Sequence, residues 1–349
     1  MGRKTVKRQT MEQENKPLSV AVVVLNWNGR ELLERFLPSL VRNSHPQARL
    51  YVADNASSDD SLEWLAEHYP QVGVIRNPEN YGFAKGYNEA LKDLKEDVFA
   101  LVNSDIEVTP GWLDPVIRTF EERPEVTAAQ PKLLDYKDKT RFEYAGAAGG
   151  FIDKLGYPYC RGRIFTVVEQ DRGQYGQDDD IFWASGACLF VRREAFQALG
   201  GFDGDFFAHL EEIDLCWRIL NTGGRIRYIA DSTVYHVGGA TLKQYDARKT
   251  FLNFRNSLFT LVKNLPGYRI PYVVLCRLLL DGVQGVRFLT EKRPGHTWAL
   301  VRAHFSFYGG FLRMWRKRKQ TPMKTRRYYH DTSIVFSHFV RRKKYFSEL

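Results

Sequence analysis

The chain has 349 residues, 44% of them hydrophobic, which fills a sizeable core and exceeds the usual single domain, so a main domain with an appendage is expected. Its four cysteines, Cys160, Cys188, Cys216 and Cys276, are scattered with no C-x-x-C pair, which argues against a zinc site or a disulfide framework and fits a reducing compartment. The formal net charge of +10 divides unevenly: 28 Lys/Arg and 36 Asp/Glu up to residue 240 (−8), then 23 and 5 (+18), a pattern that points to an anionic surface met by the tail and not to nucleic-acid binding along the whole chain.

Residues 1–16 are basic and polar with no apolar segment behind the charges, which reads as a disordered leader and not as a secretory signal. Residues 19–25 (SVAVVVL) are a continuous apolar run, the pattern of a strand buried on both faces of a parallel sheet, and Asn26-Trp27-Asn28-Gly29 is the turn at its carboxyl end. Residues 31–42 have helical spacing, with Leu32, Leu33, Phe36, Leu37 and Leu40 on one side. A second strand over 49–53 ends in Asp54-Asn55, a helix over 61–69 follows, and 72–76 is a third strand. A loop at 80–86, bracketed by Gly82 and Gly86, opens a helix over 87–95. Residues 99–102 (FALV) make another buried strand, and Asn103-Ser104-Asp105 is a polar turn at its carboxyl end.

This alternation predicts an α/β protein with a doubly wound, mostly parallel sheet and polar clusters along one edge, where such sheets bind ligands. Asp54 or Asn55 is placed to hydrogen-bond a base or ribose. Lys85, beside glycines at a helix start, is placed to meet a phosphate. A carboxylate leaving a buried strand, as Asp105 does, suits a hard divalent cation that neutralises a diphosphate.

Residues 107–123 cross into a helix with Trp112 and Leu113 on its buried side, and 128–134 read as a strand. Residues 141–177, rich in Gly, Tyr and charge, have little periodicity and form a long excursion beside the site. The acidic run Asp178-Asp179-Asp180 reads as a solvated loop. Small residues at 184–187 permit close backbone approach before a strand at 188–191. After the turn at Gly200-Gly201-Phe202-Asp203, Ile213, Cys216, Trp217 and Leu220 give a helix its apolar stripe, and Glu211, Glu212 and Asp214 crowd the first turn. Acids at a helix start complement its dipole. Three together, after two phenylalanines, also raise one another's pKa and suit general-base work. A strand at 225–230 leads to Val234-Tyr235-His236-Val237-Gly238-Gly239.

The ordered series VVVLNWNG, VADNASSDDS, NPENYGFAKGYNEAL and LVNSDIEV resembles glycosyltransferase family 2, especially its rhamnosyltransferase-like members, over residues 17–239. The resemblance implies the nucleotide-diphospho-sugar transferase fold called GT-A. It implies donor contacts from Asn26, Asn28, Asp54, Asn55, Gly82, Lys85, Asn103 and Ser104. It also implies a D-x-D-type metal motif at 103–105, here with Asn103 first, which leaves Asp105 as the metal ligand, with His236 completing the coordination of Mg2+ or Mn2+. The acid that deprotonates the acceptor falls on Glu212, where the family usually has Asp, with Glu211 and Asp214 as its neighbours.

Residues 245–265 turn helical. The apolar run 271–289 is interrupted by Arg277, Asp281 and Arg287 at intervals too short for a hydrocarbon core, so an amphipathic helix at an interface or on the catalytic body is expected. Basic clusters at 316–319, 324–327 and 341–344 stand beside aromatic residues and attract anionic lipid headgroups. The expected organisation is a leader (1–16), a GT-A catalytic domain (17–240) and a basic, largely helical extension (241–349) at the cytoplasmic face of the cell membrane. The expected activity is inverting, metal-dependent transfer of a sugar, with rhamnose implied by the resemblance, from a nucleotide-diphospho-sugar to a glycan or lipid-linked hydroxyl. No nucleic-acid partner is expected. An inactive, membrane-docked binding module and a nucleotidyltransferase are the alternatives.

Overall fold

The computed structural model describes residues 17–238, 246–322 and 327–349; the expected leader, Gly239 and most of the 324–327 basic cluster lie outside these. In β1 (Val20–Asn26), Ala21 and Val23 turn to one side of a sheet and Val20, Val22 and Val24 to the other, and all five are buried. A strand with period-two alternation but no polar face has to be covered on both sides. Helices α1 (Arg30–Arg42) and α2 (Ser61–His68) cover the face of Val20, Val22 and Val24, with strands β2 (Ala48–Asp54) and β3 (Gly73–Arg76) beside β1. Helix α3 (Gly82–Leu91) covers the opposite face through Ala84, Tyr87 and Ala90, and leads to β4 (Val98–Asn103).

Parallel pairing runs in register from Val20↔Ala48 to Asn26↔Asp54 and from Val20↔Val98 to Leu25↔Asn103. The register lines up Asn26, Asp54 and Asn103 at one edge. Next come β5 (Ile106–Val108), α4 (Asp114–Glu122) and β6 (Val126–Asp135). The stretch without periodicity folds into a four-stranded antiparallel sheet of β7 (Gly150–Ile152), β8 (Pro158–Cys160), β9 (Arg163–Ile164) and β10 (Val167–Val168). Then come β11 (Asp179–Asp180), β12 (Cys188–Arg192), α5 (Arg193–Ala198), a 3-10 turn at Gly204–Phe206, α6 (Glu211–Thr222) and β13 (Arg225–His236). The nine-stranded sheet has the order β11-β13-β6-β12-β4-β1-β2-β3, with β5 on β13. Most of its strands run in one direction; β12, β11 and β5 run against them.

Three local readings change. Helix α3 starts at Gly82, not at 87, because Gly86 is a packing residue: a Cβ there would lie 2.8 Å from Asn55 Nδ2. The 178–180 run is an edge strand rather than a free loop, and it is neutralised: Arg161 meets Asp179 at 2.7 Å and Arg227 meets Asp180 at 3.2 Å. Residues 106–108 form a strand before the expected helix, because they pair with β13.

Beyond β13 lie α7 (Ala247–Asn264), α8 (Ile270–Thr290), α9 (Pro294–Lys317) and α10 (Ile334–Phe339). Leu258, Phe259, Leu261 and Val262 of α7 join the same buried cluster as α3 and α6. Phe259 also packs on Phe307 of α9, and a Cβ on Gly310 would lie 2.6 Å from the Phe259 ring.

Candidate active site

The edge where β1, β2 and β4 end holds a row of polar turns. Asn26 is buried and donates to Asp54 Oδ1 (3.2 Å), Ser57 Oγ (3.2 Å) and Ser61 Oγ (3.0 Å). Asn28, left-handed at φ 47°, accepts from Ser58 N at 2.7 Å. Asp54 accepts from Ser57 N at 3.1 Å. Asn55 spends its amide on Gly82 O (2.9 Å) and Asn80 Oδ1 (3.3 Å), and accepts from Asn77 Nδ2 (2.9 Å). Asn55 thus fixes the entry to α3, a positioning role in place of the expected contact with base or ribose. Gly82, at φ 71°, lies under the Phe207 ring, where a Cβ would approach to 2.9 Å. Lys85, half exposed, stands 3.6 Å over the Tyr81 ring and 3.7 Å from Glu79.

At the end of β4, Asn103 N donates to Ala187 O (3.0 Å), and Asn103 and Ser104 are partly exposed while Asp105 is buried. Pairing of β5 with β13 puts His236 opposite Ile106 and brings together residues 131 apart in sequence: His236 Nε2 lies 3.2 Å from Asp105 Oδ1. On its other side, His236 Nδ1 lies 3.2 Å from Glu143 Oε1. Burial alone disfavours the imidazolium, but Glu143 and Asp105 outweigh it and push the His236 pKa up to about 10. Glu143 escaped the sequence reading; the one available signal was a carboxylate in the small, apolar stretch Phe142-Glu-Tyr-Ala-Gly.

Among the described residues, no group of three or more His, Cys, Asp or Glu is arranged to enclose a metal ion. Asp105 and His236 are nonetheless close enough to share one ion once it displaces the proton that Glu143 and Asp105 favour on His236, an O,N pair that leaves the other positions to a diphosphate and water. The residues present fit such an ion.

The acid cluster separates into distinct environments. Leading into α6, Phe207, His209 and Leu210 all have positive φ (65°, 70°, 68°), a run of strained non-glycine residues. Its carbonyls are gripped from α7: buried Asn256 Nδ2 donates to Phe206 O (3.0 Å), Ala208 O (2.9 Å) and His209 O (2.8 Å). Glu211 is buried, and burial followed by the neighbouring Glu212 raises its pKa well above the ordinary value. Glu212 is partly exposed, its Oε2 is buried with no hydrogen-bond partner, and burial pushes its pKa up to about 7. A Cβ on Gly186, next to Ala187, would lie 3.8 Å from Glu212 Cβ, which places this acid beside the end of β4.

Asp214 differs from the expectation of a base. It accepts from Arg218 Nε (2.9 Å), Lys263 Nζ (2.8 Å) and Asn264 Nδ2 (2.8 Å). Burial would raise its pKa, but Lys263 and Arg218 hold it below the ordinary carboxylate value. Lys263 also meets Asp203 (2.6 Å), and Lys317 of α9 meets Asp205 (2.7 Å). The sequence concealed this network because Lys263 and Asn264 end an otherwise apolar helix face.

A mostly parallel sheet with polar turns along one edge, a buried Asp–His pair and a carboxylic acid of raised pKa are arranged as in a fold of the GT-A type. The family model described as Glycosyl transferase family 2 matches residues 19–200, more than half of the chain, and the chain belongs to that family. It is a glycosyltransferase. It is 28% identical over 231 residues, 62% of this chain and 75% of the relative, to the N-acetylglucosaminyl-diphospho-decaprenol L-rhamnosyltransferase of Mycobacterium tuberculosis. In fold it is similar to GalNAc-T7 solved with UDP, GalNAc and Mn2+ (TM-score 0.57, 16% identity, 73% of this chain and 50% of that one). It is also similar to S. aureus TarS 1–349 (TM-score 0.53, 14% identity, 87% and 92%).

Proposed function

We infer that the chain transfers a hexosyl group with inversion from a nucleotide-diphospho-sugar to a hydroxyl of a glycan or lipid-linked acceptor, with Glu212 as the general base. The observation that carries this reading is the Glu212 carboxyl: partly exposed, with one buried oxygen lacking a partner, and a pKa of about 7 beside the end of β4. A base poised near neutrality takes a hydroxyl proton without being saturated by solvent protons. In the step, Glu212 accepts the acceptor's proton while the acceptor oxygen bonds to the anomeric carbon. The bond from that carbon to the diphosphate breaks, and its electron pair leaves with the nucleoside diphosphate. Asp105 and His236 would hold the Mg2+ or Mn2+, which supplies charge neutralisation to the leaving diphosphate.

Rhamnose is the sugar favoured by the rhamnosyltransferase relative, with dTDP-rhamnose as the donor the family resemblance implies, and that relative's acceptor, an N-acetylglucosaminyl-diphospho-decaprenol, favours a lipid-linked acceptor at the cytoplasmic face of the membrane. No helix among the described residues is long and apolar enough to cross a membrane, so attachment would be peripheral. The test is turnover of a panel of nucleotide-sugars with Mn2+, by wild type and Glu212→Gln. Release of nucleoside diphosphate by wild type, lost in the variant while donor affinity holds, supports the reading; equal turnover in both overturns the assignment of the base.

A further inference from the structure

Helices α8 and α9 each carry an apolar stripe that no described residue covers. On α8, Leu275, Leu279, Val283 and Val286 are 59–68% exposed at spacings of four, four and three. On α9, Trp298, Phe305 and Leu312 are 63–70% exposed, seven residues apart. Both spacings hold one face of a helix. The opposite faces are the ones that bind the protein. On α8, Val273, Arg277, Asp281 and Gly285 are buried: Arg277 donates to Ser257 Oγ of α7 (2.7 Å), and Asp281 meets His304 of α9 (3.1 Å). On α9, Ala303, Phe307, Gly310 and Met314 are buried, with Phe307 and Gly310 against Phe259 of α7. Two of the three charges that break the apolar run of α8, Arg277 and Asp281, therefore point inward, while the third, Arg287, stays at the surface near the tip of the hairpin and pairs with Glu291 (2.7 Å).

From residue 267 to residue 320 the hairpin holds eleven Lys or Arg and two acids, one of which, Asp281, is buried. Arg269 begins the hairpin, Lys292 and Arg293 lie at its tip, and Arg316 and Lys319 close it. A second copy of the chain on this face would bring like charges together across a two-fold interface, which opposes pairing. An anionic bilayer satisfies both features: acyl chains take the apolar stripes, interfacial Trp suits the headgroup boundary, and phosphates meet the basic ends. We propose that the α8–α9 hairpin is the membrane-docking element, lying in the plane of an anionic lipid surface with the Leu279 and Leu312 faces inserted. This identifies the surface that serves the lipid-linked acceptor, and it rests on that part of the proposed function.

The test is flotation of the full chain with vesicles of phosphatidylcholine alone or mixed with phosphatidylglycerol. The variants are Leu279→Asp/Leu312→Asp and Arg316→Glu/Lys319→Glu, all at exposed positions. Wild type is expected to favour the anionic vesicles, and either variant to lose roughly tenfold or more of that binding. Lipid-free hydrolysis of the nucleotide-sugar, measured on the same samples, is expected to be unchanged in both variants and reports separately on the catalytic reading. Absence of wild-type binding to anionic vesicles, or undiminished binding by the Leu279→Asp/Leu312→Asp chain, overturns the proposal. So does light scattering that finds a wild-type dimer which those same substitutions convert to monomer, because the occupant is then a second copy.

Discussion

At the scale of single residues, Glu212 combines two consequences of one environment. Burial raises its pKa to about 7, so the ionised form, the one a general base would need, costs the folded state more than the unfolded one. The folded pKa lies above the unfolded value of about 4.5, so the group's contribution is most favourable below that value and is lost as pH rises through 7. Glu212→Gln is therefore expected to lower turnover by roughly 100-fold or more, to abolish the rise in rate through neutral pH, and to melt higher than wild type at pH 8 but not near pH 4. Thermal melts at the two pH values check this; an offset that ignores pH would show the carboxyl to be solvated. Asp105→Ala carries a separate expectation: metal-dependent affinity for UDP or dTDP is lost while the fold stays intact. Calorimetric titration with and without Mn2+ reads it, and unchanged affinity removes Asp105 from the ligand set.

Among the elements, α7 has the largest hidden role. Its Asn256 amide caps three carbonyls of the positive-φ segment before α6, and its Lys263 neutralises Asp214 and Asp203. Asn256→Ala leaves buried carbonyls without donors, at a cost of about 1–3 kcal/mol, and frees a strained backbone to relax. The expected result is a kcat lower by about tenfold at an unchanged donor KM, with a lower melting temperature; a stability loss at constant kcat would make Asn256 purely structural. Lys263→Met takes one of two cations from each of two buried carboxylates, leaving Arg218 on Asp214 and Lys317 on Asp203, and should cost at most about 3–5 kcal/mol at neutral pH. Both carboxylates are held below their ordinary value of 3.8 in spite of burial, chiefly by Lys263. Their stabilising effect is present above that value and fades as pH falls below it. Urea unfolding of wild type and variant should therefore converge at acid pH, and a constant gap would refute the ion-pair account.

The elements that could be read from the sequence were those with a simple period. The runs at β1 and β4, the helical spacing of α1 and the turns after each strand gave the sheet and its ligand edge. Asp105, His236 and Glu212 are candidates because the resemblance supplies the order of motifs; the 3.2 Å approach of His236 to Asp105 depends on the pairing of β5 with β13, which local pattern does not encode. The loop contacts of Asn55 were not legible because a turn Asn looks alike whether it faces a ligand or holds a loop. Lys263 was missed because a buried Lys has no signature without its partner acids.

For the molecule as a whole, the basic C-terminal region is part of the catalytic architecture and not a detachable tail. Lys263 and Lys317 reach Asp203, Asp205 and Asp214, and α7 lies in the main apolar cluster. A chain ending at Gly238 is expected to be inactive and to unfold without a cooperative transition by circular dichroism; a sharp melt would show the catalytic body to be self-sufficient.

The long reach of Lys317 back to Asp203 and Asp205 also sets a timetable for biosynthesis. Translation proceeds from the amino terminus, so the ribosome makes the acid cluster about a hundred residues before the cation that closes it, a delay of roughly 5–20 s at common elongation rates. During that interval the emerging chain carries uncompensated acids and the uncovered underside of α6. It also offers apolar surface to chaperones. The contacts that close the acid cluster thus form only when the α8–α9 hairpin has itself been made, so a chain that completes the cluster already carries the surface proposed to dock.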